Sequence, residues 1–229
     1  MIIGINGKIG AGKDTIGSII QYLTDKNVKG MSFEDWYASN VYSVYQATGK
    51  WEIKKYAGKL KQIASLLTGI PVEKFEDQEF KQKHMGLQWK MTYREFLQKL
   101  GTEAIRDGLH PNAWVNALFA DYKKEGGSEG EERVASDGGY YSTPSYKGQY
   151  PNWIVTDMRF PNELEAVEER EGITIRVTRP VKKNKNTPRL HPSETALDNA
   201  KFDYEIINDG TMEELVKKVK EILVKEKLI

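Results

Sequence analysis

The apolar run Ile2-Ile3-Gly4-Ile5-Asn6 leads directly into Gly7-Lys8-Ile9-Gly10-Ala11-Gly12-Lys13-Asp14-Thr15, and Ile16, Ile19, Ile20 and Leu23 follow at helical spacing. The order strand, glycine loop, helix constrains the chain more than any single residue does. The glycine spacing is that of a Walker A loop, in which backbone N–H groups converge on a β-phosphate at a helix N-terminus. Lys13 would reach the β and γ oxygens, and Gly10, Ala11, Gly12, Lys13, Asp14 and Thr15 form the expected ATP-binding set. Asp14 stands where Ser or Thr is usual, and the hydroxyl comes one place later. Asp14 and Thr15 are therefore the candidate magnesium ligands. The loop alone does not say what attacks the γ-phosphate, because kinases, GTPases, ATPases and motors share it.

The remaining pattern alternates strands with helices. A second strand is expected near Trp51–Tyr56, a helix over Gly58–Leu67, and another from the capping box of Thr92 and Glu95 to Gly101. Pro111 and Asn112 introduce a helix carrying Trp114, Val115, Leu118 and Phe119. Trp153–Asp157, a helix from Pro161 to Glu171, and Ile173–Val177 form a βαβ unit. Tyr204–Ile207 is the last strand, and Thr211 with Glu214 caps a C-terminal helix to Lys225 or beyond. The expected architecture is a three-layer α/β P-loop fold, a mostly parallel sheet flanked by helices, with ligands at the carboxyl ends of the strands. Residues 1–229 fit a single domain, with inserted or lid-like segments near 30–50, 126–151 and 180–195.

Composition narrows the partners. Lys plus Arg number 34 and Asp plus Glu 33, so the net charge of +1 provides no broad field for a nucleic acid backbone or an anionic membrane. The chain has no cysteine, which excludes disulfides, thiolate-ligated zinc and a catalytic thiol. No leader or membrane span is read, so a soluble cytoplasmic protein is expected.

Asp157 sits at the end of a strand, with Arg159 and Glu163 just beyond it. An arginine there can fork onto a phosphate while the carboxylates orient a metal, sugar hydroxyl or base amino group. The same Arg159 and Glu163 could instead pair around a helix start. Arg94, Arg106 and Trp114 add two further cations and an aromatic face, which at helical spacing also suits the core. Lys182, Lys183, Lys185 and Arg189 could form a basic lid or a solvated charge run. His191 and Glu194 stand in the loop His-Pro-Ser-Glu, where no general base is required.

Over nearly its whole length the chain resembles the bacteriophage-type deoxynucleoside monophosphate kinases. The likeness is carried by Gly12-Lys13-Asp14-Thr15, by Ala57-Gly58-Lys59-Leu60-Lys61, by Leu100-Gly101-Thr102 with Trp114, by Asp157-Met158-Arg159 with Glu163, and by Asn208-Asp209-Gly210-Thr211. The Asp14 departure agrees with this family. The resemblance implies transfer of the ATP γ-phosphoryl group to a dNMP, with Mg²⁺ as cofactor. It places the acceptor on Lys61, Arg94, Gly101, Thr102, Trp114, Asp157, Arg159 and Glu163, and gives Lys13, Arg94 and Arg159 the catalytic roles. A host-cytoplasm setting follows for a phage-encoded chain, and a homodimer is compatible with the sequence. A kinase for another small phosphorylated acceptor and a non-kinase nucleotide switch are the competing readings.

Overall fold

A computed structural model describes residues 1–28, 30–42, 51–126, 132–134, 140–142, 148–180 and 192–229. Its strands in chain order are β1 (Ile2–Gly7), β2 (Trp51–Lys54), β3 (Glu132–Val134), β4 (Tyr140–Ser142), β5 (Asn152–Met158), β6 (Ile173–Thr178) and β7 (Tyr204–Ile207). The main sheet has the order β2-β5-β1-β6-β7, and every pairing in it is parallel. β3 and β4 form a separate antiparallel pair. β1 is central, and Ile2, Ile3 and Ile5 are wholly buried, as expected of a strand with both faces covered.

The helices are α1 (Lys13–Thr24), α2 (Phe33–Tyr42), α3 (Ala57–Thr68), α4 (Gln78–Gln82), α5 (Tyr93–Gln98), α6 (Ala113–Phe119), α7 (Pro161–Glu168) and α8 (Met212–Lys225). One core cluster joins Ile16, Ile19 and Ile20 of α1 to Ile3, Ile5 and Ile154 of the sheet and to Leu215, Val219 and Leu223 of α8. The second joins Ile2, Trp153 and Val155 to Trp114 and Leu118 of α6 and to Leu164 and Val167 of α7. A smaller third cluster, Ala64, Phe75 and Phe96, holds α3 and α5 around the 3₁₀ turn Val72–Phe75.

The capping boxes of Thr92 with Glu95 and Thr211 with Glu214 both form. The helix expected to end at Gly101 runs on instead as a π-helical segment, Lys99–Asp107. A wider turn leaves room for a close neighbour: a Cβ on Gly101 would lie 2.9 Å from Leu60 Cδ2 of α3. The sequence pattern also missed α2 and α4. Within 126–151, read from the sequence as an inserted or lid-like segment, the described part includes the paired strands β3 and β4. Lys182, Lys183, Lys185, Arg189 and His191 lie outside the described residues. No helix among the described residues is long and apolar enough to cross a membrane.

A buried ion pair ties the π-helical segment to α7. Arg106 Nη2 donates to Glu163 Oε1 at 2.8 Å, and the guanidinium stacks 3.6 Å from the Phe160 ring centre. The other Glu163 oxygen accepts from the amides of Arg159 and Phe160, at 2.7 and 3.1 Å. Removing this carboxylate would strand a buried cation and two amides. Glu163→Ala should therefore lower the unfolding free energy by about 3–5 kcal/mol in urea titration. A loss below about 1 kcal/mol, the scale of an exposed pair, would contradict this arrangement.

Candidate active site

The glycine loop sits between β1 and α1 at the carboxyl edge of the sheet, where parallel α/β folds bind ligands. Gly10 and Gly12 have φ of 77° and 101°, a region that side-chain-bearing residues avoid. Gly12 is doubly constrained, because a Cβ there would fall 2.6 Å from Asn208 Nδ2. Asn208, just past β7, donates that same amide to the Ala11 carbonyl at 2.9 Å and so buttresses the loop.

Lys13 folds back over the loop, and its Nζ donates to the carbonyls of Gly7 at 2.5 Å and Lys8 at 2.9 Å. Burial, with the Arg159 charge added to it, pulls its pKa down to about 8. On α1, Gly17 passes so near β5 that a Cβ would meet Thr156 Cγ2 at 2.9 Å. This approach lets Thr156 Oγ1 donate to Asp14 Oδ1 at 2.6 Å, while Lys55 Nζ lies 3.2 Å from the same oxygen. Burial works against ionisation of Asp14, but Thr156 and Lys55 outweigh it and hold the carboxyl below its usual range. An ionised Asp14 beside the half-buried Thr15 hydroxyl is a hard oxygen set that suits Mg²⁺. Among the described residues no group of three or more His, Cys, Asp or Glu side chains gathers as a metal cage.

The acceptor-side residues named from the sequence divide into two groups. Asp157 is spent on structure: its two oxygens accept from the amides of Tyr56 and Ala57, at 2.7 and 2.9 Å, at the start of α3. Burial nonetheless pushes its pKa up. Burial likewise raises Glu163 to about 7, and its oxygens are taken by Arg106 and by backbone amides. Trp114 is enclosed in the second core cluster, and its Nε1 donates to the Gly101 carbonyl at 2.8 Å. Its indole therefore fixes the π-helical turn and is not an open platform for a base.

The second group is cationic. Lys61 is buried on α3, with Nζ 2.5 Å from Glu76 Oε1. Arg94 on α5 donates to Gln78 Oε1 at 2.9 Å. Thr102 is half-buried on the π-helical segment. Close to Lys61 and Arg94 is Lys81 of α4, a residue the sequence did not single out. Burial, with the charges of Lys61 and Arg94, pulls its pKa down to about 8, and Arg159 adds to the effect. The Arg159 charge thus bears on both Lys13 and Lys81. Lys55 and Glu76 were also missed. Lys55 directly follows β2, and that position at the sheet's carboxyl edge was the available signal.

Near relatives give this geometry a lineage. The profile of the family described as Deoxynucleotide monophosphate kinase matches residues 38–219, well over half the chain, beginning beyond the glycine loop. A putative deoxynucleotide monophosphate kinase of Acanthamoeba polyphaga mimivirus is 25% identical over 228 residues, covering 96% of this chain and 94% of the relative. The deoxynucleotide monophosphate kinase of Enterobacteria phage T4 is 29% identical over 136 residues, 59% of this chain and 46% of the phage protein. The deoxynucleoside-5′-monophosphate kinase of Escherichia phage T5 is 23% identical over 248 residues, covering 91% and 89%. On the fold, the loop and the extent of these matches, the chain belongs to the deoxynucleotide monophosphate kinase family.

Proposed function

We propose that the protein transfers the γ-phosphoryl group of ATP to the 5′-phosphate of a deoxynucleoside monophosphate, giving the diphosphate and ADP. One observation carries this reading beyond family membership. Two ammonium groups, Lys13 beside the glycine loop and Lys81 on α4, are both pulled to about 8 by burial and by neighbouring cations, and Arg159 contributes to both. Such crowding of like charge is unfavourable by itself and becomes favourable when phosphates enter.

In the reaction an oxygen of the acceptor phosphate attacks the γ-phosphorus in line. The new P–O bond forms as the bond to the β–γ bridging oxygen breaks, and ADP leaves with that electron pair. An ionised acceptor phosphate has no proton to lose, so alignment and charge neutralisation carry the catalysis. Lys13 and the loop amides of Gly10 to Thr15 would hold the β and γ oxygens. Asp14 and Thr15 would hold Mg²⁺, which supplies charge neutralisation at the β- and γ-phosphates. Lys61, Lys81, Arg94, Thr102 and Arg159 would seat the acceptor, on a frame kept in shape by Gly101, Trp114, Asp157 and Glu163.

Lys13→Ala should reduce dNMP-dependent ADP release by about 100-fold or more, the scale of losing one preorganised charge contact in a transition state. Full activity in that variant would overturn the donor-site assignment. Lys81 gives a pH test in the absence of ATP. Its charge is present below about 8 and lost above it, so the affinity for dNMP measured by calorimetry should fall as pH rises through about 8. Lys81→Arg, which stays charged, should move that fall to higher pH. An unchanged profile would remove Lys81 from the acceptor seat.

A further inference from the structure

Residues 192–203, just before β7, lie against the active site and are firmly held there. Leu197 is buried in the second core cluster. Arg176 of β6 donates to the carbonyls of Leu197 and Asp198 and stacks on Phe202, its guanidinium carbon 4.4 Å from the ring centre. Lys8 of the glycine loop pairs with Asp198 at 3.2 Å. These anchors fix the 3₁₀ turn Pro192–Glu194 against the mouth of the site. Its last residue, Glu194, has a side chain only 9% exposed.

Both oxygens of that carboxylate are engaged, and on opposite sides. Oε1 accepts from Arg159 Nη1, and Oε2 accepts from the backbone N–H of Ile9 in the glycine loop at 3.2 Å. The Ser193 carbonyl also accepts from Arg159 Nη1, at 3.4 Å. Arg159 is thus gripped through one terminal nitrogen, and among the described residues its Nε and Nη2 make no hydrogen bond. Those two nitrogens form the edge that forks onto a phosphate.

We infer that Glu194 is a positioning residue: it ties Arg159 to the glycine loop and turns the arginine's Nε–Nη2 edge toward the acceptor phosphate. The inference rests on the reading of Arg159 as a phosphate-binding arginine. A carboxylate bridging the loop backbone and the guanidinium sets the spacing between the two substrate seats. In-line transfer is sensitive to an error of about 1 Å in that spacing. A long arginine without a fixed partner samples many rotamers, and ordering it would be charged against binding at every turnover.

A double-mutant cycle tests the inference through steady-state kinetics with dNMP and ATP. Arg159→Ala alone should raise KM for dNMP and lower kcat; if it does neither, the reading of Arg159 fails and the inference with it. Glu194→Gln keeps the volume and an acceptor for the Ile9 amide while removing the charge. It should raise KM for dNMP about tenfold, the scale of weakening one charge-assisted hydrogen bond, and change KM for ATP by less than about threefold. In the Arg159→Ala background the same substitution should have almost no further effect. Thermal unfolding of Glu194→Gln should match the parent within a few degrees, which separates positioning from damage to the fold. Effects that multiply independently would show that Glu194 does not act through Arg159. A lowered KM for dNMP would show that it restrains the arginine instead.

Discussion

Gathering Lys13, Lys61, Lys81, Arg94 and Arg159 at one end of a parallel sheet is electrostatically unfavourable, and much of the chain is arranged to bear it. Acids are spaced among the cations rather than paired with each: Asp14 meets Lys55, Glu76 meets Lys61 and lies near Lys55, and Glu194 meets Arg159. Lys55 shows the balance most directly. Burial pulls its pKa down, yet Asp14 and Glu76 more than compensate and leave it raised. Lys13 and Lys81 lack that degree of support and end at about 8. They mark the places where negative charge is still owed, and a phosphorylated ligand would supply it there.

The scaffold that brings these groups together depends on close approaches rather than on the groups themselves. Gly17 lets α1 press against β5, which sets Asp14 against Thr156. Gly12 leaves room for Asn208, which holds the loop from the far edge of the sheet. Gly101 lets the π-helical turn meet Leu60, and Trp114 locks that turn by its hydrogen bond. The buried pair Arg106–Glu163 then joins the same segment to the start of α7, directly after Arg159.

Much of this was legible in the sequence because local chemistry and global fold agree. The continuous apolar run of β1, the glycine spacing, the capping boxes at Thr92 and Thr211, and Pro161 at the start of α7 each declare their structure within a few residues. The parts that stayed hidden are those fixed by tertiary contact. α4 is five residues long, too short to show a period, and it carries Lys81. The π-helical continuation past Gly101 follows from packing against α3, which no local pattern announces. The family resemblance named Asp157, Glu163 and Trp114 as acceptor contacts, but only coordinates separate a residue that touches a ligand from one that braces its neighbours. Glu194 was read as part of a short polar loop, and its two partners, Ile9 and Arg159, lie 185 and 35 positions before it in the chain.

The central claim is that two anion seats lie side by side, one on the glycine loop and one on the α3–α4–α5 cations, with Arg159 between them. Calorimetric binding of a single molecule in which adenosine and a deoxynucleoside are joined 5′ to 5′ through five phosphates tests this most directly. Adjacent seats predict one site per chain and an affinity at least about 100-fold above that of ATP or the dNMP alone, because the second contact becomes intramolecular. An affinity no better than that of ATP would show that the two seats cannot be filled together, and would contradict the account.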